Sequence, residues 1–220
     1  MKETKENKKI RLKKVLELLA KQYPSPKPEL TYKTNFELLV AVILSAQCTD
    51  KRVNLVTNEL FKKYSTPQDF AALEYSELEK QIKSCGLGAS KAKNIVEASK
   101  KIIKDYNGEV PNTIEKLQSL PGVGRKTANV VGSVAFNIPA IAVDTHVFRV
   151  SNRIGLADAK DVLNTEKQLM KAIPKKDWAD AHHWLILHGR RVCTARKPDC
   201  QNCIIANYCG YNINNTNEKQ

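Results

Sequence analysis

The sequence predicts an all-α protein, and three observations lead to that fold class. Apolar residues recur at the three- and four-residue spacing of one helix face along most of the chain. No stretch alternates apolar and polar residues over more than a few positions, as a half-buried strand would. Proline, glycine and asparagine–glycine steps separate the periodic segments, and these are residues at which helices end. We therefore expect a succession of short helices, without a sheet and without a solenoid repeat.

Ten helices are predicted in order along the chain, and several end at a recognisable helix breaker. The Pro24-Ser-Pro-Lys-Pro28 run ends the first helix, because proline has no N–H to donate. Gly86 and Gly88 close the fourth helix, and Asn107-Gly108 ends the fifth. Pro139 is where we expect the chain to leave one domain. The predicted helices span residues 10–23, 36–45, 50–64, 76–84, 90–106, 113–120, 125–136, 146–154, 164–173 and 177–189.

The amino-acid balance makes nucleic acid the expected partner. Lysine and arginine total 36 against 23 acidic residues, which gives a net charge of +13 and favours binding to a polyanion. A membrane surface is the competing partner, but no segment approaches the roughly 20 apolar residues that span a bilayer. The length of 220 residues suits one large domain or two small ones, with a real core.

The N-terminal segment gives no sign of a targeting signal. Residues 1–14 hold seven basic residues, and no apolar run begins before Val15, so a secretory signal is excluded. Glu3 and Glu6 argue against a transit peptide. We therefore expect a cytoplasmic protein with reduced cysteines. We expect residues 1–8 to form a solvated, disordered end.

The most informative stretch is Leu120-Pro-Gly-Val-Gly-Arg-Lys-Thr127. Gly122 and Gly124 flank one apolar residue between two predicted helices, which predicts a hairpin at a helix N-terminus. Backbone N–H groups at such a terminus bind phosphate. Lys126 follows on the first helical turn, and Asp144 comes 18 residues later. A phosphate-binding backbone, an amine and a carboxylate together indicate covalent chemistry on a nucleic-acid sugar.

Each part of this pattern also has a simpler explanation. Paired glycines mark many helix junctions, whatever their function. A lysine beside them is more often a plain phosphate contact than a nucleophile. Asp144 precedes Thr145 and His146 and could simply cap a helix, since aspartate accepts bonds from free N–H groups. The combination of the three features favours the catalytic interpretation.

Four of the six cysteines are crowded into 17 residues near the C-terminus. In a reducing compartment this crowding indicates a metal site rather than disulfides. Four thiolates can hold zinc or an iron–sulfur cluster, and the spacing does not decide between them. We expect a structural role, in which the metal fixes a small loop-rich segment. Cys48 and Cys85 stand alone and are most simply small buried apolar residues. The crowded residues are Cys193, Cys200, Cys203 and Cys209.

These residues together resemble the endonuclease III family of the helix-hairpin-helix superfamily. The resemblance runs from about Leu30 to Cys209, and the four-cysteine loop is its most specific part. Adenine glycosylases of the same superfamily share that loop, but they usually lack a lysine at the position of Lys126. The other markers are Leu44-Ser-Ala-Gln-Cys-Thr-Asp50, Gly86-Leu-Gly-Ala-Ser-Lys-Ala92, Leu120-Pro-Gly-Val-Gly-Arg-Lys-Thr127, Val143-Asp-Thr-His146 and His182-His-Trp-Leu-Ile-Leu-His-Gly189.

The resemblance implies a two-domain helix-hairpin-helix DNA glycosylase fold. Residues 28–138 would form a six-helix barrel that contains the hairpin. Residues 1–27 and 139–220 would form a discontinuous domain that holds a [4Fe–4S] cluster on the four cysteines. DNA would lie in the cleft between the domains, where Lys126 and Asp144 face each other. One residue departs from the family pattern, since Cys48 stands where a small residue such as alanine is common.

The resemblance also implies an activity, a substrate and roles for individual residues. The protein would act as a monomer in base excision repair, associated with the nucleoid, and remove oxidised pyrimidines from duplex DNA. A base inside a duplex is unreachable, so it must be flipped out. Gln47 and Leu87 would fill the hole that it leaves, Gln47 as an amide facing the orphan base and Leu87 as an apolar wedge. The hairpin residues that would hold the strand are Gly122, Val123, Gly124 and Arg125.

Lys126 and Asp144 would be the catalytic pair. The neutral amine of Lys126 attacks C1′ of the sugar, while Asp144 stabilises the oxocarbenium-like sugar and helps to remove a proton. The resulting Schiff base acidifies the C2′ proton, whose loss expels the 3′ phosphate by β-elimination. The histidines of the 182–188 helix would be core residues or neighbours of the site, and His146 would orient its loop.

Two alternative functions remain open from the sequence. In a monofunctional mismatch or damage glycosylase, Lys126 would only hold phosphate and the abasic strand would stay intact. A non-enzymatic DNA-binding module could use the same hairpin as a clamp. Asp144, together with the pair Gln47 and Leu87, argues against the binding module.

Overall fold

The computed structural model describes residues 3–217 of the chain. Within that range it contains twelve α-helices and three short 3₁₀ segments, and no strand, which confirms the all-α class. No helix among the described residues is long and apolar enough to cross a membrane. The helices are α1 (Lys5–Gln22), α2 (Asn35–Leu44), α3 (Asp50–Lys63), α4 (Pro67–Ala71), α5 (Tyr75–Ile82), α6 (Gly88–Tyr106), α7 (Ile114–Gln118), α8 (Arg125–Phe136), α9 (Thr145–Ile154), α10 (Val162–Ala172), α11 (Trp178–Arg191) and α12 (Gly210–Asn217).

The first helix begins earlier than predicted, so the expectation of a disordered end is wrong for the residues described. The Thr4 side chain accepts a hydrogen bond from the backbone N–H of Asn7 and caps α1. The Arg11 guanidinium binds the carboxylate of Glu3 at 2.8 Å and holds this polar first turn against the helix. Met1 and Lys2, which the same expectation included, lie outside the described residues.

Two short helices were not predicted, α4 and α12. A five-residue helix such as α4 carries too few turns to show a periodic pattern. Its start is nevertheless encoded locally, because Thr66 and Asp69 form a reciprocal capping box and Pro67 occupies the first helical position. Elsewhere the predicted helix ends lie close to the observed ones, and α8 has the predicted bounds Arg125–Phe136.

The chain divides into two compact units. One comprises Pro28–Ala140, and the other comprises Met1–Lys27 with Ile141–Gln220, of which residues 3–27 and 141–217 are described. In the first unit, every residue of α2 from Phe36 to Leu44 is buried, and α8 packs against both α2 and α7. This packing fixes the N-terminus of α8, where the glycine hairpin stands.

The second unit has its own core, built from both ends of the chain. Helix α11 packs against α9 and α1, and the buried side chains between them form one apolar cluster. Cys193 and Cys209 are buried in that cluster, so the cysteine segment is continuous with the core. A discontinuous unit of this kind needs the N-terminal helix to complete it.

Candidate functional site

The glycine hairpin joins α7 to α8 by a tight turn. The N–H of Val123 donates to the carbonyl of Leu120 at 3.1 Å, and both side chains are buried. Gly122 adopts φ +76°, and a Cβ at this position would come within 2.7 Å of the Cβ of Asn94. Gly122 is therefore required by the turn and by the close approach of α6.

Gly124 has a different role, because its backbone is ordinary and its surroundings are open. It is the N-cap of α8 with φ −78°, and a Cβ there would meet nothing within 4 Å. No side chain caps this helix end. The N-terminus of α8 therefore presents backbone donors and the positive end of the helix dipole at an open surface, which suits a phosphate.

Lys126 lies on the first turn of α8, next to this surface. Its side chain and that of Arg125 are exposed, whereas Ala128 and Asn129 on the following turn are buried. The structure thus brings together Gly124, Arg125 and Lys126 at one exposed helix end. A phosphate at that end would place the neighbouring sugar within reach of the amine.

Asp144 is the N-cap of α9, in the other unit. Its Oδ1 accepts a hydrogen bond from the backbone N–H of Val147 at 2.8 Å, and its carbonyl accepts one from Phe148. The side chain is only partly buried. Asp144 is therefore a helix cap, as the simpler explanation predicts. The capping bond uses Oδ1 and fixes the orientation of the carboxylate, so Oδ2 can still contact a substrate.

Helix α9 is tied to the cysteine segment by two arginines. Arg149 donates to the carbonyls of Cys193 and Gly189, and its Nη2 lies 3.2 Å from Nδ1 of His146. Arg153 donates to the carbonyl of Thr194 at 2.7 Å and approaches Sγ of Cys193 at 3.4 Å. The contact with Arg149 holds the His146 ring against its own helix.

The sequence did not predict that Arg149 and Arg153 bind the cysteine segment. Their contacts with the cysteine segment cross about 40 residues of sequence, and no local pattern reports a contact at that distance. Four further basic residues flank the cysteines in sequence and are all exposed, namely Arg190, Arg191, Arg196 and Lys197.

The four cysteines line a single pocket. Cys193, Cys200, Cys203 and Cys209 all border it, and none of them forms a disulfide. Burial raises the pKa of the Cys203 thiol to about 11 and also raises the pKa of the Cys200 and Cys209 thiols. Without a bound cation these thiols would hold their protons, so loading a metal must release protons.

This donor set fits the iron–sulfur cluster that the resemblance implies. Four thiols converge on one pocket, and thiolates are the ligands that such clusters require. The guanidinium of Arg153 stands 3.4 Å from one sulfur, where it offsets the negative charge of the ligands. No three His, Cys, Asp or Glu side chains in the described range 3–217 are placed to hold a single metal ion.

Two of the three histidines of α11 are core residues, as predicted, and the third, His183, is half-buried. His182 and His188 are buried, and Nδ1 of His182 lies 2.7 Å from the carbonyl of Ala142. His188 lies between Tyr23 and Cys203, and burial lowers its pKa to about 4. A neutral imidazole therefore stands beside the cysteine pocket.

Gln47 and Leu87 share an unusual backbone conformation. Gln47 has φ +54° and Leu87 has φ +53°, which is the left-handed region that side chains rarely adopt. Leu87 is also 56% exposed, so burial does not account for its strained position. Non-glycine residues held in this region cluster at functional sites, and each costs roughly 1–3 kcal/mol. Cys85 beside this loop is buried, as expected, whereas Cys48 is only partly buried.

Comparison with known proteins agrees with this arrangement. The model of HhH-GPD superfamily base excision DNA repair proteins matches residues 40–175, and the iron–sulfur binding domain of endonuclease III matches residues 193–209. Endonuclease III of Rickettsia prowazekii (strain Madrid E) is 53% identical over 203 residues, covering 92% of this chain and 96% of the relative.

Two solved structures also match the chain over most of its length. A trapped endonuclease III–DNA covalent intermediate, an estranged-adenine complex, matches with TM-score 0.90 at 50% identity and covers 94% of this chain and 98% of that chain. A thermostable thymine-DNA glycosylase matches with TM-score 0.84 at 25% identity, covering 93% of this chain and 98% of that chain. Because the superfamily model spans more than half of the chain and an endonuclease III shares about half of its residues over nearly its full length, the chain belongs to the HhH-GPD superfamily of base excision DNA repair proteins and, within it, to the endonuclease III family.

Proposed function

We propose that this chain removes oxidised pyrimidines from duplex DNA and cleaves the resulting abasic site through a Schiff base on Lys126. Its family makes it a base excision repair glycosylase with abasic-site lyase activity, which binds DNA and carries a [4Fe–4S] cluster. The observation that carries the residue assignment is the exposed Lys126 beside an open, uncapped helix N-terminus.

The first step is extrusion of the damaged nucleotide. The N-terminus of α8 holds the backbone through Gly122, Val123, Gly124 and Arg125, which reads no sequence. Gln47 and Leu87 enter the stack, where the leucine side chain replaces the lost base contacts and the amide meets the orphan base. Flipping costs a few kcal/mol and is cheapest for a damaged or mispaired base, so it contributes to selectivity.

The second step is displacement of the base. The lone pair of the neutral Lys126 amine forms a bond to C1′ as the C1′–N bond breaks, and the base leaves with the bonding electrons and takes up a proton. Asp144 stabilises the positive charge on the sugar and accepts a proton from the amine. The capping bond from Val147 holds this carboxylate in a fixed orientation.

The third step is strand cleavage. Opening of the sugar ring gives an iminium between Lys126 and C1′, and this cation acidifies the proton on C2′. Loss of that proton forms a C2′–C3′ double bond and expels the 3′ phosphate. Hydrolysis of the iminium then returns the free amine. A water nucleophile would leave an intact abasic site instead, which is why the reaction needs a lysine.

Within the second unit, the cysteine segment supports the helix that follows Asp144. Cys193, Cys200, Cys203 and Cys209 would hold the cluster, which supplies a structural cross-link to a segment without a core of its own. Arg149 then connects the segment to α9, whose first residue follows Asp144.

The proposal extends to the domain bounds, the oligomeric state and the cellular location. We assign residues 28–138 to the barrel domain and residues 1–27 with 139–220 to the cluster domain. We propose that the chain acts as a monomer on damaged or abasic duplex DNA, at the nucleoid. The net charge of +13 supports this choice of partner.

The test is an assay of the purified protein on duplexes with one oxidised pyrimidine, with borohydride added during the reaction. We expect base release, strand cleavage at the same site and a covalent protein–DNA adduct. Base release without cleavage or adduct would instead assign the chain to the monofunctional glycosylases. Binding without base release would leave only a DNA-binding module.

A valine at Gly124 is expected to weaken DNA binding without harming the fold. The backbone there suits any residue and a Cβ meets no neighbour, but the side chain would stand where a phosphate must approach. Loss of charged hydrogen bonds of this kind should weaken binding by about 10- to 100-fold. Fluorescence anisotropy with damaged and undamaged duplex measures both affinities, which should fall together.

Gly122→Ala provides the contrasting variant. Its positive φ and the 2.7 Å approach to Asn94 predict a lower unfolding temperature, because the fold itself must shift. If Gly124→Val bound DNA as tightly as the wild type, phosphate binding at this helix end would be disproved.

With the [4Fe–4S] cluster bound, the purified protein is expected to be brown and to absorb visible light, and replacement of Cys203 by serine is expected to remove both properties. The residue lines the cysteine pocket, and a segment fixed by metal loses its cross-link when a ligand is lost. Iron analysis and thermal unfolding should show less bound iron and a less stable protein. Cys48→Ala is the control, since Cys48 lies outside the pocket and should keep full colour. A colourless wild type containing one zinc would contradict the cluster assignment.

A further inference from the structure

Lys91 is a buried cation near the start of α6. Its side chain is 4% exposed, and no other lysine or arginine among the described residues is buried. Its Nζ donates to the carbonyls of Leu44, Ala46 and Cys85 at 2.8, 2.7 and 2.9 Å. An ammonium has three donors, so backbone carbonyls take all of them.

These three carbonyls belong to two different loops. Leu44 is the last residue of α2 and Ala46 directly precedes Gln47, whereas Cys85 directly precedes the Gly86-Leu87 step. The backbone N–H of Lys91 also donates to the carbonyl of Leu87 at 3.0 Å. One residue therefore bonds to both loops that contain Gln47 and Leu87, the two residues whose left-handed conformation was described above.

A buried ammonium is an expensive way to join two loops. Burial lowers the pKa of Lys91, which means that the charged form is disfavoured at this position. An apolar side chain would fill the same space without that cost, but it could not hold three carbonyls in a fixed arrangement. The arrangement of the loops, rather than packing alone, accounts for a lysine here.

We propose that Lys91 is a positioning residue that locks the loops of Gln47 and Leu87 into the pair of conformations with which both enter the duplex. The inference rests on the insertion roles proposed above. A pre-ordered pair of loops avoids the loss of conformational freedom that ordering them on DNA would require. The lock should therefore act on extrusion of the base, and it should not affect phosphate binding or the Lys126 amine.

The test is Lys91→Met, which keeps the length of the side chain and removes its three donors. Fluorescence of 2-aminopurine placed opposite the lesion reports opening of the pair. Single-turnover excision of an oxidised pyrimidine should slow by about 10- to 100-fold, the range expected for lost charged hydrogen bonds. The 2-aminopurine signal should fall in parallel, while affinity for undamaged duplex stays at the wild-type value.

Lys93→Met is the matched control, since Lys93 is an exposed lysine on the same helix. This variant should open the base pair and excise the damaged base at the wild-type rate. Should Lys91→Met fail to fold in thermal unfolding, Lys91→Gln keeps two donors without the charge and carries the same comparison. A folded Lys91 variant with wild-type opening and excision would overturn the proposal.

A combined variant separates this role from general support of the fold. If Lys91 acts through Gln47 and Leu87, then adding Lys91→Met to Gln47→Ala/Leu87→Ala should slow excision little further. Fully additive losses would overturn the proposal and leave Lys91 a stabilising residue. Normal base opening by Gln47→Ala/Leu87→Ala alone would instead disprove the insertion roles, whatever Lys91→Met does.

Discussion

Lys126→Ala is expected to abolish the borohydride-trapped adduct and strand cleavage at an abasic site. No other nucleophile stands beside the hairpin in the proposed mechanism, so the covalent route closes. The rate of cleavage should fall by at least about 10³-fold, the scale on which loss of an enzyme nucleophile is measured. Single-turnover cleavage and a gel of trapped products measure the two effects independently.

The fold and the affinity for DNA should survive this substitution. Lys126 is exposed on the first turn of α8, and surface substitutions of this kind usually change stability by less than about 0.5 kcal/mol. One phosphate contact at most is lost, so binding should weaken only modestly and the salt slope should fall by about one unit. Lost activity with retained binding would distinguish a nucleophile from a plain phosphate contact.

Lys116→Ala supplies the matched control for the loss of one positive charge. Lys116 is exposed on α7, on the other side of the same hairpin, and it should trap and cleave normally. If Lys126→Ala formed the covalent adduct at normal yield, the nucleophile would lie elsewhere and the mechanism proposed here would be wrong. Lys126→Arg extends the test, because it keeps the charge but lacks a neutral amine.

Local signals explain why most of the fold could be predicted from sequence. Glycines and prolines interrupt helices through the backbone alone, and the start of α8 after Gly124 was therefore placed correctly. The start of α1 was missed because its cap, Thr4, lies six residues before Ile10, the first apolar residue of the pattern. Helix α4 was missed because five residues show no period, although Thr66 and Asp69 encode its start.

The sequence predicted which residues form the candidate site, but it did not predict the residues that hold them in place. The pattern Gly-x-Gly-x-Lys identified the hairpin, yet it could not show that Gly122 serves the turn while Gly124 faces open space. Arg149 and Lys91 bind carbonyls that are distant in sequence, at Cys193 and Leu44. Such contacts depend on the packed fold, and the sequence around either residue contains no sign of them.

Asp144→Asn is expected to slow both base release and strand cleavage by roughly 10²-fold or more, the contribution of a general acid–base group. The reason is the lost charge, because asparagine keeps the side-chain oxygen that accepts from Val147. Asparagine and aspartate are about equally good N-caps, so the fold should survive. Loss of a negative charge at a partly buried helix N-terminus costs at most about 2 kcal/mol.

Asp144→Ala separates the two functions of this carboxylate. It removes the charge and also the cap, so its activity should match that of Asp144→Asn while its stability falls by about a further 1 kcal/mol. Thermal unfolding measured beside single-turnover excision shows whether the two variants differ only in stability.

Asp161→Asn is the control for changing an aspartate cap as such. Asp161 caps α10 in the same way, accepting from the N–H of Asn164 at 2.8 Å, and it is exposed. Asp161→Asn should excise and cleave at the wild-type rate. If Asp144→Asn did the same, the carboxylate of Asp144 would be only a helix cap, and the proton transfer assigned to it would need another residue. Slower excision and cleavage in the Asp144 variants alone would establish that the negative charge of Asp144 contributes to catalysis.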